Sequence, residues 1–95
     1  MNLNISLEEM RLMLRISHNL IDAELETLKA SFLEDLAMCG VTHIPDNDAL
    51  VKSCLRMYLR WQENYNGEAE RYKEAYTGLK IAMSLVEEYK QAVTA

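Results

Sequence analysis

The sequence predicts an all-α fold, a small bundle of about four helices joined by short loops. Three observations carry this expectation. Apolar residues recur in steps of three and four along most of the chain, the spacing of one helix face rather than of a strand. One Pro and three Gly, against a hydrophobic share of 49%, leave few breakers and much to bury. Ninety-five residues suit a single domain, residues 1–95, with one core and little room for a deep cofactor pocket.

The stretch "ISLEEM" starts the first helix, expected over about residues 7–15. Ser6 is placed to cap it, and Glu9, three residues on, to return a bond to the Ser6 backbone N–H. Ile5 and Met10 stand at the two hydrophobic-staple positions, and Leu7, Met10 and Leu14 share a face. The following "LRISHNLIDAELETL", residues 14–28, sets His18 four residues before Asp22. A catalytic or metal-binding pair needs one helix to run through Asn19. Ser17 and Asn19 are instead good capping residues, and Asp22 suits the positive end of a new helix. The stretch therefore reads as a corner, with His18 in a loop facing solvent.

The second helix is expected over about residues 20–39, with a buried stripe of Ile21, Leu25, Leu28, Phe32, Leu36 and Cys39, and Gly40 as its left-handed terminator. "VTHIPDND" forms the longest loop. Pro45 cannot continue a helix, and Asp46 or Asp48 is placed to cap the next one. The third helix, about residues 49–65, is apolar at Leu50, Cys54, Met57, Trp61 and Tyr65 and again at Val51, Leu55, Tyr58 and Leu59. Only Lys52, Arg56 and Arg60 form a polar strip, so this helix belongs in the middle of the assembly of helices. Asn66-Gly67 makes a tight turn to an antiparallel fourth helix, about residues 68–91, with Tyr72, Tyr76, Leu79, Met83 and Val86 on one stripe. Gly78 inside it costs about 1 kcal/mol relative to Ala, which a close approach by a neighbouring helix would explain.

Composition narrows the function. No run approaches about 18 consecutive apolar residues, so no membrane span is expected. The N-terminal Met1-Asn2-Leu3-Asn4 has neither a basic flank nor a cleavable apolar segment, which predicts retention in the producing cell. There Cys39 and Cys54 would stay reduced and serve as small core hydrophobes. The net charge is −5, and residues 1–40 hold seven acids and three bases. Such a surface repels duplex DNA and disfavours a sequence-reading DNA-binding protein.

No glycine-rich phosphate loop, nucleophile elbow or HExxH motif occurs. Cys39 with His43 supplies two zinc ligands where a structural site wants four. The expectation is therefore no catalytic residue, no metal and no cofactor. The Lys52–Arg56–Arg60 strip is different, because like charges four apart on a helix repel by a few tenths of a kcal/mol per pair. It calls for solvent, an anion or acidic neighbours, for which Glu24, Glu26, Glu34 and Asp35 stand available on the second helix or on an adjacent subunit. Trp61, Tyr65, Tyr89 and Ile81 add apolar surface beyond what two-faced helices need, which points to association as a homo-oligomer. The expected subunit interface comprises Lys52, Arg56, Arg60, Trp61, Tyr65, Tyr89, Glu24, Glu34 and Asp35.

Taken in order, these features resemble the small head–tail connector proteins of tailed bacteriophages and prophages, also described as DNA-packaging or head-completion proteins. The resemblance covers about residues 6–90. It is carried by "SLEEMRLMLRI" with His18 and acids after it, the long helix to "CGV", the acidic "PDNDALV", the aromatic "CLRMYLRWQENY" and the final "YKEAYTGLKIAMSLVEEYK". Ser17 departs from the family's pattern, in which an acid commonly follows "LRI". The resemblance implies a virion structural protein with no enzymatic activity. Its subunits would form a ring under the portal protein at the virion neck, assembled in the host bacterial cytoplasm. The ring would extend the DNA channel towards a tail-side connector protein and let DNA pass without sequence-specific binding, as an acidic wall would. Two other readings remain on the residues alone. One is a small helical protein–protein adaptor or regulatory dimer. The other is a metal-assisted hydrolase using His18, His43 and nearby carboxylates, which stoichiometric zinc in the purified protein would support.

Overall fold

The computed structural model describes residues 3–90, and all of its regular elements are helical. Four α-helices follow in order: α1 (Leu7–Met13), α2 (Asp22–Met38), α3 (Ala49–Gln62) and α4 (Ala69–Ser84). Short 3-10 turns lie at Tyr65–Gly67 and Glu87–Tyr89. A radius of gyration of 13.4 Å is close to the value of about 13 Å for a packed domain of this length.

Helix α1 begins as its sequence predicts, with the Ser6 hydroxyl oxygen accepting from the Glu9 N–H at 3.1 Å. The reciprocal half of the capping box is not made, because the Glu9 carboxylate turns to Lys52, 3.6 Å away. The helix stops at Met13, two residues before the expected end. The Arg15 N–H donates to Leu12 O and the Ile16 N–H to Arg11 O, so a Schellman motif closes it with Arg15 at φ 55°. That left-handed position usually holds glycine, so the sequence carries no visible stop there.

At the corner, neither Ser17 nor Asn19 caps α2. Ile21 occupies the cap position with no side-chain bond, and His18 Nδ1 accepts from the Leu20 N–H at 3.3 Å. Asp22 is held by Arg11, whose Nε donates to it at 2.9 Å. The far end of α2 is a second Schellman motif, this time with Gly40 at φ 95° and bonds from Gly40 N–H to Ala37 O and from Val41 N–H to Leu36 O. Val41 and Leu36 are both fully buried, the apolar contact that accompanies this motif.

Asp48, rather than Asp46, caps α3, accepting from the Val51 N–H at 3.0 Å. Helix α3 is central and packs against α1, α2 and α4, with its most extensive contact to α4. It buries Val51, Cys54, Leu55, Tyr58 and Leu59. It ends at Gln62, short of the expected Tyr65, where Asn64, Asn66 and Gly67 all take positive φ and reverse the chain.

Helix α4 ends at Ser84, several residues before the expected limit, whose last residue, Gln91, lies outside the described residues. Val86 is extended, and the chain folds back so that Tyr89 O accepts from the N–H groups of Thr42 and His43, each at 2.9 Å. The Tyr89 hydroxyl donates to Asp48 at 2.8 Å. Two backbone bonds, one bond to a carboxylate and burial of a tyrosine ring outweigh one more turn of exposed helix. No described residue makes the expected close approach at Gly78, since a Cβ built there meets none of them within 4 Å.

The core gathers Met10, Leu25, Phe32, Leu36, Leu55, Leu59 and Met83 with an aromatic cluster. Tyr58 lies at 5.6 Å from Phe32 and 5.0 Å from Tyr76, centroid to centroid, and Trp61 at 5.8 Å from Tyr76. Most of the aromatic surface of α3 and α4 is therefore covered inside one chain. Among the described residues, the large apolar side chains left exposed are Leu12, Leu20, Met38, Ile81, Leu85 and Val86.

Candidate functional site

Two surface grooves carry the chemistry that the fold leaves outside. The first lies between α1 and α3 and is lined by Glu9, Leu12, Met13, Arg15, Arg56 and Arg60. Arg60 is fixed in place: its Nε donates to Met13 O, a carbonyl left unpaired at the end of α1, at 2.9 Å. Its guanidinium lies 4.5 Å over the Tyr65 ring and 5.6 Å from that of Tyr72. Arg56 makes one long contact, 3.4 Å to the Ser53 hydroxyl. The Arg15 side chain has no hydrogen-bond or ion-pair partner among the described residues. Leu12, 67% exposed, stands among these cations. The single lining acid, Glu9, faces Lys52, which also donates to Asn47 Oδ1 at 2.5 Å.

The second groove lies between α2 and α4. Tyr58, Trp61 and Tyr76 form its floor, with Glu34, Asp35 and Met38 on one side and Lys73 and Lys80 on the other. Asp35 is fully engaged within the subunit, accepting from the Tyr76 hydroxyl and from Lys80 Nζ, the latter at 2.9 Å. Burial works against its charged form, but those two hydrogen bonds outweigh it and hold the carboxyl below the ordinary range. Burial, followed by the bond to Asp35, pushes the Tyr76 hydroxyl far above a normal tyrosine. Lys73 stands over Trp61 at 5.8 Å and Lys80 over Tyr76 at 5.2 Å.

A third feature joins the start of α2 to the end of α3. Burial, and after it a hydrogen bond to Glu24, raises the Glu63 carboxyl to about 7. Two carboxyl groups that hydrogen-bond to each other favour holding one proton between them.

The residues expected at an interface are thus dispersed. Arg56 and Arg60 share the first groove, with Lys52 one turn before Arg56. Trp61, Glu34 and Asp35 share the second. Glu24 lies with Glu63, and Tyr65 packs at 5.9 Å on Tyr72 beneath Arg60. Tyr89 is 5% exposed, so it is a core residue rather than part of an open surface. No acid of α2 faces the basic strip within the subunit: Tyr58, 5.6 Å from Phe32 of α2, lies about 200° around α3 from Arg56. Sequence reasoning missed Leu12 and Arg15. Leu12 was detectable, since it falls off the Leu7–Met10–Leu14 stripe; Arg15 gave no signal.

Among the described residues no three His, Cys, Asp or Glu side chains converge as a metal site would require, and no helix is long and apolar enough to cross a membrane. Cys39 and Cys54 are free thiols, and burial raises that of Cys54 to about 12. The fold and its surfaces define a small all-α bundle whose described residues line a basic groove and an aromatic groove. No family model, curated protein or solved structure matches the chain.

Proposed function

We propose that this chain is a non-enzymatic structural subunit of the head–tail connector kind. It assembles with copies of itself into a ring at the virion neck, between the portal protein and a tail-side connector protein. DNA passes along the ring without being read. The resemblance of the motifs from "SLEEM" to "EEYK" supports this reading, as does the all-α bundle built around a central third helix. The observation that carries it is the α1–α3 groove: three arginines with no carboxylate partner among the described residues surround an exposed leucine on a chain of net charge −5. Such a surface suits a protein contact better than a reaction or a nucleic acid.

The test is negative-stain microscopy of the purified protein alone and mixed with a portal protein from the same genome, together with proteomics of the virions and inspection of the neighbouring genes. Rings stacked on portals and presence of the chain in virions are expected. A chain absent from virions, or a gene lying outside any cluster of portal, capsid and tail genes, overturns the reading. Met38, Ile81 and Leu85, exposed towards the ends of α2 and α4, favour a second reading, a small helical adaptor that buries this end against another protein.

A further inference from the structure

We infer that the arginine groove between α1 and α3 receives helix α2 of a second copy of this chain, giving a head-to-tail contact. This rests on the connector reading for its requirement that copies assemble, and it names the surfaces that meet. The groove offers a fixed cation at Arg60 and two unneutralised ones at Arg15 and Arg56, with Leu12 exposed between them. It therefore fits an occupant that brings carboxylates together with small or apolar side chains.

Helix α2 has that chemistry on its outer side. Of its acids, Asp22 is taken by Arg11 and Asp35 by Tyr76 and Lys80, while its one cation, Lys29, donates to Ile5 O at 2.9 Å. Glu26 and Glu34 are exposed and neither forms an ion pair among the described residues, and exposed Ala30 lies between them; Glu34 shares the second groove with Lys73 and Lys80, but Lys80 is taken by Asp35. Nucleic acid suits the groove less well, because the exposed Leu12 would lie against phosphates with no apolar side chain to cover it.

The geometry makes the contact intermolecular. Helix α2 packs on the Tyr58 side of α3, and the arginines stand on the other. A chain cannot place its own α2 in its own groove, but each copy presents one surface of each kind. Such heterologous pairing closes into a ring or runs on as a filament, depending on the rotation between copies.

Charge exchange tests this by sedimentation velocity, with circular dichroism confirming that each variant is folded. The variants are R15E/R56E, which reverses the groove, and E26R/E34R, which reverses α2; Arg60 stays because it packs on Tyr65 and Tyr72. Wild type should associate with concentration and dissociate as salt rises. Each double variant alone should associate about a hundredfold more weakly, and an equimolar mixture of the two should regain association. Wild type that stays monomeric at its solubility limit, a variant that assembles as well as wild type, or a mixture that fails to assemble each overturns the contact. Wild type that stays monomeric and binds duplex DNA through Arg15 and Arg56 overturns it in favour of a nucleic-acid surface. Assembly through other surfaces sinks this contact and leaves the connector reading standing. Absence from virions, with the charge exchange intact, does the reverse.

Discussion

Replacing Tyr76 with Phe isolates the bond that ties α4 to α2. The ring is 1% exposed and touches Phe32, Tyr58 and Trp61, and all of those contacts survive the change. Only the hydroxyl that donates to Asp35 is lost. A hydrogen bond to a charged group contributes about 1.5–3 kcal/mol. The side chain of Asp35 is 37% exposed and keeps Lys80 at 2.9 Å, so water replaces the lost donor and the cost falls at the lower end, about 1.5 kcal/mol. For a domain of this size that lowers Tm by about 6–12 °C. The loss should depend on pH with a definite sign. The Asp35 carboxyl is held below its ordinary 3.8, so its stabilisation is complete above that value and vanishes as pH falls through the depressed one. Urea unfolding followed by circular dichroism, at neutral pH and well below pH 3.8, measures both. A neutral-pH cost below about 0.5 kcal/mol, or one unchanged in acid, refutes the assignment of Asp35 as the charged acceptor.

Three further outcomes follow from single sites. Gly78→Ala fills open space on an exposed turn of α4 and should stabilise by about 0.5–1 kcal/mol; a fall in Tm would mean that something does approach there. Glu63→Gln should stabilise at pH 8 and not at pH 4.5, because wild type loses stability as pH rises from 4.5 to about 7, where the folded carboxyl retains a proton that the unfolded one releases. Since Glu63 is only half-buried, the gain is expected at about 1 kcal/mol, read from denaturation midpoints across that range. Arg15→Gly relieves a positive φ and should raise stability by about 1 kcal/mol while weakening self-association in sedimentation.

The helices were legible because each has a buried stripe at helical spacing, such as Leu25, Phe32 and Leu36 on α2. Their ends were legible only where chemistry marks them. Gly40 and Asp48 act as expected, and Asn66-Gly67 turns the chain. The early stop of α1 was hidden because Arg15 occupies the terminating position without a glycine to announce it. The early stop of α4 was hidden for a different reason. Leu85 and Val86 read as more helix, and what bends them away is the return of Tyr89 to Thr42, His43 and Asp48, more than forty residues back in the chain. The basic strip could be read as a face, but its neighbours could not. Which acids lie opposite depends on the side of α3 to which α2 docks, and Phe32 against Tyr58 decides that only in three dimensions.

The same division separates residues that fold this chain from residues it keeps for something else. At most sites local preference and tertiary role agree: Ser6 and Asp48 cap, Gly40 takes the left-handed turn, and Lys29 satisfies the Ile5 carbonyl. Agreement of that kind makes a fold unique, and departures from it fall most often where function needs a residue that folding does not. Arg15 departs twice, through a backbone conformation that disfavours any side chain and a charge that no acid among the described residues pairs with. Leu12, three residues earlier, departs once, as a large apolar group left in water. Both line the groove that also holds Arg56 and the anchored Arg60. Leu20, Met38, Ile81, Leu85 and Val86 are exposed elsewhere, so an exposed apolar group alone does not single out this groove. What sets it apart is the combination of Leu12 with Arg15, Arg56 and Arg60 on one lining, and the charge exchange between Arg15/Arg56 and Glu26/Glu34 tests whether that combination serves a contact.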